Sequence, residues 1–248
     1  MLIELLIVFI IMFFGSFIQG VSGFGFGLIA MGFLPFLFTV KESTLLVVSL
    51  AFVLAASIAS QLYKHIQWKT LSVILCGGVL GRIGAFFVLD SFGEQEMLKV
   101  YLGLFLLAFV VYLFKNKPPK PGTTVNTTWL PFSLGVVGGL VGGVFAIGGP
   151  FFVFYFLLLY YDNKYAYSAN LQVTFVVTAL MTVTLHGING DFSLGFLTYF
   201  LVGLVSVLIG SRIGILFFKK LSQEKVKRLA AIVVAIAALN LILTTLFF

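Results

Sequence analysis

Apolar residues run almost unbroken from Leu2 to Phe38 and again from Trp129 to Tyr161. Neither run fits a single membrane crossing. At ~1.5 Å of rise per residue the first would extend roughly 55 Å, against a hydrocarbon core of ~30 Å. Glycines interrupt both, at Gly20–Gly27 (GVSGFGFG) and at Gly138–Pro150 (GGLVGGVFAIGGP). Glycine weakens a helix, and broken backbone inside a bilayer is tolerated only where protein buries it or a cavity receives it. The pattern predicts two helix–break–helix hairpins whose tips meet inside the membrane. Six further stretches have spanning length: Thr44–Tyr63, Leu71–Leu89 and Met97–Phe114, then Ser168–His186, Leu194–Phe218 and Val226–Phe248. Between the two sets lies the one polar, proline-rich stretch, Lys115–Thr128 (KNKPPKPGTTVNTT), which reads as a linker.

The order of elements is a repeat: hairpin and three spans, linker, hairpin and three spans. The expected fold is an all-α polytopic membrane protein with two inverted repeats, each a broken-helix hairpin plus three transmembrane helices. Residues 1–114 form the first repeat, 115–128 a cytoplasmic linker and 129–248 the second repeat, all within one membrane domain. Short echoes support the pairing, Arg82-Ile83-Gly84 with Arg212-Ile213-Gly214 and Gln67-Trp68 with Asp191-Phe192. Lysines at 64 and 69, in the linker, and at 219, 220, 225 and 227 with Arg228 mark cytoplasmic loops by the positive-inside rule. The Asp90–Glu96 and His186–Asp191 loops, and both termini, would then face outward. Three true crossings per half invert the second half relative to the first.

Composition agrees with a multi-pass location in the cell membrane. Hydrophobic residues make up 61% and charged residues 9% of the chain, where soluble domains carry roughly a quarter charged. The net charge of +7 sits in short loops and controls topology; no basic face for nucleic acid exists. Cys76, the single cysteine, excludes a disulfide within the chain and is expected to be an inert small hydrophobe. The opening MLIELLIVFI has no basic n-region and is expected to be retained structure.

A half-helix that begins inside a membrane presents unpaired N–H groups and a partial positive charge, which suits an anion. The hairpins' second helices should start near Gly25–Leu28 and Gly149–Phe151, with Pro150 fitted to a first helical position. Gln19 and Ser22 could add donors at the first tip. The rival account of the glycines is close helix packing. Arg82 and Arg212 lie about two turns inside predicted spans and either draw an anion towards the tips or snorkel to the surface. Asn170, Thr174, Thr178, Thr182 and His186 recur at spacing four. They line a path, or they bond to their own backbone. Catalysis has little support: His65 and His186 sit at span ends, no metal-ligand spacing occurs, and no Asp or Glu lies deep in a span. The expectation is therefore no catalytic residues, no metal and no cofactor. A cation carrier or a carboxylate proton relay would want such acids, so an anion path fits better.

The motifs Gly15–Pro35 (GSFIQGVSGFGFGLIAMGFLP) and Gly135–Pro150 resemble the paired glycine-rich signatures of the TauE/SafE sulfite exporter family, and the resemblance covers nearly the whole chain. It implies transport of small sulfur-containing anions such as sulfite, sulfoacetate or other organosulfonates. It also implies Gly20, Gly23, Gly25 and Gly27, then Gly143, Gly148 and Gly149, as tip elements. With Gln19, Ser22, Arg82, Arg212, Asn170 and Thr174 these are the candidate substrate-binding residues. The expected partners are the anion and the lipid bilayer, with a homo-oligomer left open. An anion channel with the same site, a membrane assembly protein without transport, and a membrane enzyme are the alternatives.

Overall fold

The computed structural model describes residues 2–22, 24–115, 128–217 and 223–247. Linker residues 116–127 lie outside the described residues, as do Gly23, Lys219 and Lys220. Among the described residues the chain is helical and contains no strand.

Both long apolar runs break where the glycines fall. Helix α1 (Leu2–Ser22) is followed by α2 (Phe26–Phe33), which continues as a 3-10 turn over Leu34–Phe36. Gly25 caps α2 with φ 113°, a left-handed value that a side chain rarely adopts. In the second run α6 (Trp129–Phe145) ends on Ala146, also left-handed at φ 55°, and α7 (Gly149–Tyr160) restarts with Pro150 in its first turn. The arms are unequal. At 21 residues α1 rises about 31 Å and could cross a bilayer alone, whereas α2 has 8 residues.

The remaining helices are α3 (Val40–Gln61), α4 (Trp68–Phe92), α5 (Glu96–Lys115), α8 (Lys164–Asn189), α9 (Leu194–Phe217) and α10 (Gln223–Phe247). Each has the length of a crossing, about 30 Å or more. Their ends are chemically marked. Thr39 and Glu42 form a reciprocal capping box before α3, at 3.0 and 3.1 Å. Asn163 accepts from Ala166 N at 3.0 Å to start α8. Gly190, at φ 79°, closes α8.

Packing divides the chain into two compact units, and neither is a sequential half. The first comprises Met1–Leu50, Leu89–Asn116 and Phe192–Phe248; the second comprises Ala51–Val88 and Lys117–Asp191. In the first unit α1 runs along α9 at backbone contact. A Cβ on Gly20 would sit 2.6 Å from Ser211 O, and one on Gly210 would sit 2.6 Å from Phe13 O. Ser206 Oγ donates to Phe9 O at 2.6 Å across the same seam. Phe26, Met12, Met31, Leu34, Leu102 and Leu106 fill the unit's interior.

In the second unit the equivalent seam joins α4 to α6. A Cβ on Gly77, Gly81, Gly135 or Gly139 would drive into a carbonyl of the facing helix, namely Phe132 O, Val136 O, Ile74 O and Gly78 O respectively. Small residues four apart let helices approach this closely in an apolar solvent. Cys76 sits on the outer face of α4 and is exposed; the expectation of a buried thiol fails because the glycine face of α4, not the cysteine face, turns inward.

Adding a methyl at the second seam should therefore separate the helices. Gly77→Ala and Gly135→Ala should each destabilise the fold by ~1–3 kcal/mol. Gly195→Ala, whose Cβ would meet only Ser193 Oγ at 3.6 Å, should leave the midpoint unmoved. Thermal unfolding in detergent compares the three.

Candidate anion site at the second hairpin

The α4–α6 seam carries Arg82 to the end of α6. Only 5% of Arg82 is exposed. Its Nη1 donates to Gly142 O at 2.8 Å and to Thr182 Oγ1 at 3.0 Å. Gly142 belongs to the last turn of α6, whose carbonyls have no partner further along the helix. A cation there also meets the negative end of the helix dipole. Among the described residues no carboxylate pairs with Arg82, and its Nε is buried with no hydrogen-bond partner.

Gly142 is the hinge of this arrangement. A Cβ on it would lie 2.9 Å from Arg82 Nη2, 3.0 Å from Gly148 Cα and 3.1 Å from Gly148 N. Because Gly142 has no side chain, the guanidinium and the start of α7 converge on one spot. The first-turn amides of α7, Pro150 excepted, are donors without intrahelical acceptors. A buried, incompletely paired cation next to a helix N-terminus can hold a small oxyanion.

The residues expected at the tips divide by what they touch. Gly148 packs against Gly138 O and Gly143 against Ala85 Cβ, so both serve close approach, and Gly149 has room, its Cβ meeting only Phe175 at 3.5 Å. Arg82, Gly143, Gly148 and Gly149 thus gather at the second tip. At the first tip Gly25 supplies the turn, Gln19 is buried at 7% exposure, Gly27 lies in the first turn of α2 and Gly20 packs on α9. Ser22 ends α1, and Gly23 lies outside the described residues.

Arg212 does not mirror Arg82. It is exposed on α9, with no helix end for it to cap among the contacts described. Asn170 and Thr174 are both buried on α8 and bond to backbone. Asn170 Nδ2 donates to Ala166 O at 2.6 Å while its Oδ1 accepts from Gln67 N at 2.9 Å, which clasps the connection before α4 to α8. Thr174 donates to Asn170 O at 2.8 Å and Thr178 to Thr174 O at 2.7 Å. The backbone-bonded account of this stripe describes those hydroxyls.

Two features escaped the sequence reading. Gly142 lies inside the glycine run but was not distinguishable from its neighbours. His186 pairs through Nδ1 with Asp191 Oδ2 at 2.5 Å, a link visible in sequence only as a spacing of five across a helix end. Among the described residues no three of His, Cys, Asp and Glu gather as a metal site would require.

A helical chain with crossing-length helices and a broken hairpin walled by protein is a multi-pass membrane protein of the transporter class. Residues 8–241 match the family model described as "Sulfite exporter TauE/SafE", and the chain belongs to that family. It is 29% identical over 146 residues to the "Probable sulfite/organosulfonate exporter TauE" of Cupriavidus necator, covering 57% of this chain and 56% of that protein's length. It is 24% identical over 220 residues to the "Probable membrane transporter protein YdhB" of Bacillus subtilis, covering 84% of this chain and 86% of the relative. A further relative from Methanocaldococcus jannaschii, also named as a membrane transporter, is 24% identical over 190 residues, 73% of this chain and 70% of that one. No solved structure matches the chain.

The two arginines should behave differently when neutralised. Arg82→Gln should cost about 2–4 kcal/mol, since it strands the Gly142 carbonyl and removes two charge-assisted hydrogen bonds. Arg212→Gln should leave the unfolding midpoint unchanged. Thermal unfolding of the two purified variants makes the comparison.

Proposed function

We propose that this protein carries small sulfur-containing anions, sulfite or an organosulfonate such as sulfoacetate, across the cell membrane. The observation that carries the reading is Arg82, a buried guanidinium with no carboxylate partner among the described residues, beside the first turn of α7. A tetrahedral or pyramidal oxyanion has the charge and acceptors to match that guanidinium and the α7 amides together. The named activity of the Cupriavidus necator relative supports the substrate class. The first tip, with Gly25 and Gln19, offers a second place where helix-start amides meet a polar side chain.

In this reading the fold is an inverted repeat, and alternating exposure of the hairpin tips moves the anion from one side to the other. The apolar environment strengthens each contact to the anion, because no water competes for the donors.

Gly149 offers a test that spares the packing, since its Cβ position is open to within 3.5 Å of Phe175. Gly149→Asp adds a carboxylate to the first turn of α7, where its charge opposes an anion held by those amides. It should abolish sulfite and sulfonate binding to purified protein and flux into proteoliposomes, while leaving the unfolding midpoint close to that of the parent. Retained binding of either anion by Gly149→Asp would overturn the site.

A further inference from the structure

One helical turn from the proposed anion site lies a second buried ionisable group. Thr182, which accepts from Arg82 at 3.0 Å, is followed four residues later on α8 by His186. Arg82 is followed four residues later on α4 by Phe86, whose ring meets the His186 imidazole at 4.9 Å between centroids and 60° between planes. The two helices therefore present matched pairs, Arg82 and Phe86 facing Thr182 and His186. Residues four apart lie about 6 Å from one another along one helix face.

His186 is 1% exposed. The Asp191 side chain that holds its Nδ1 is 10% exposed, and Asn189 Nδ2 donates to both carboxylate oxygens at 3.1 and 3.2 Å. Residues 187–190 beside it are exposed. The carboxylate thus stands between the surface and the buried imidazole. The charged group paired with His186 is Asp191, from the turn after α8; on α4, Arg82 precedes Phe86 by one turn and Asp90 follows it by one, and Thr182 and Asn189 from α8 itself are neutral.

We propose that His186, served by Asp191, is the proton-binding site that couples anion movement to a proton gradient. The proposal rests on the anion reading given above. With Nδ1–H donated to Asp191, a proton arriving from water adds to Nε2. The imidazolium so formed keeps Asp191 as its counter-charge, and no bond breaks other than that between the proton and its donor. A positive charge one turn from Arg82 strengthens anion binding, and the bound anion strengthens proton binding by the same factor. Proton and anion then load and unload together, as symport requires. Histidine is the side chain whose charge ordinarily changes between about pH 5 and 8. The pair also closes α8, with Asp191 N donating to His186 O at 3.0 Å, but an uncharged clip would do that equally well and would confer no pH dependence.

Methanesulfonate is a suitable probe because, as the anion of a strong acid, it carries no proton of its own. Its affinity for the purified full-length protein should be roughly tenfold tighter at about pH 5.5 than at about pH 8.5, within the usual range of coupling between two sites. His186→Gln, which keeps a side-chain donor but cannot titrate, should flatten that profile. Asp191→Asn removes the counter-charge and should change the pH profile, a second reading if the histidine variant does not fold. In proteoliposomes an imposed methanesulfonate gradient should drive protons in the same direction as the anion. Absence of methanesulfonate binding at every pH would overturn the anion site and the coupling with it. Binding that is indifferent to pH, or a parent-like profile in His186→Gln, would overturn the coupling alone.

Discussion

A helix that ends where water cannot reach must find partners for its last carbonyls, and in α6 that partner is Arg82. The bond from Nη1 to Gly142 O depends on the glycine seam between α4 and α6, because only backbone contact at Gly81 and Gly139 brings the arginine stem alongside the helix end. It depends as well on Gly142 having no side chain. One cation therefore terminates α6, braces α8 through Thr182, brings Nη2 towards the start of α7 and leaves Nε unmatched. The end of α6 and the packing of α8 thus draw on the same charge.

Much of the architecture was legible in the amino-acid sequence, for a physical reason. Apolar runs too long for one crossing, interrupted by glycine, have few solutions in a bilayer. The breaks fall inside Gly20–Gly27 and Gly138–Pro150, and the second helices begin at Phe26 and Gly149, within the windows read from the motifs. The uses of individual glycines were not legible. Gly25 is needed for its left-handed turn, whereas Gly20, Gly143 and Gly148 are needed because another chain segment lies where a Cβ would go. Nothing local in the sequence separates those demands. Arg82 and Arg212 share the tripeptide Arg-Ile-Gly and have opposite fates, since burial is decided by what packs opposite and not by neighbours in the chain. The threonines of α8 also read ambiguously, because a hydroxyl four residues from a carbonyl can bond to it or point elsewhere with equal ease.

The two glycine seams follow one rule. In each unit the first helix of a hairpin packs against the fourth helix of the other sequential half, α1 against α9 and α6 against α4. Contact is through small residues spaced four apart, Gly210 and Gly214 in one case and Gly77 and Gly81 in the other. Each half of the sequence therefore completes a unit that begins in the other, and the hairpin ends are held by partners distant in the chain.

The position of Cys76 has a practical side. The chain contains one sulfhydryl, and it projects from the outer face of α4 while Gly77 beside it is locked into the seam. A fluorophore or nitroxide attached there marks the parent molecule at one address with no background to engineer away. Arg82 stands further along the same rod by about 9 Å of helical rise. Any reorientation of α4 would carry the reporter and the guanidinium together, so the spectroscopic signal would register movement at the heart of the molecule from its periphery.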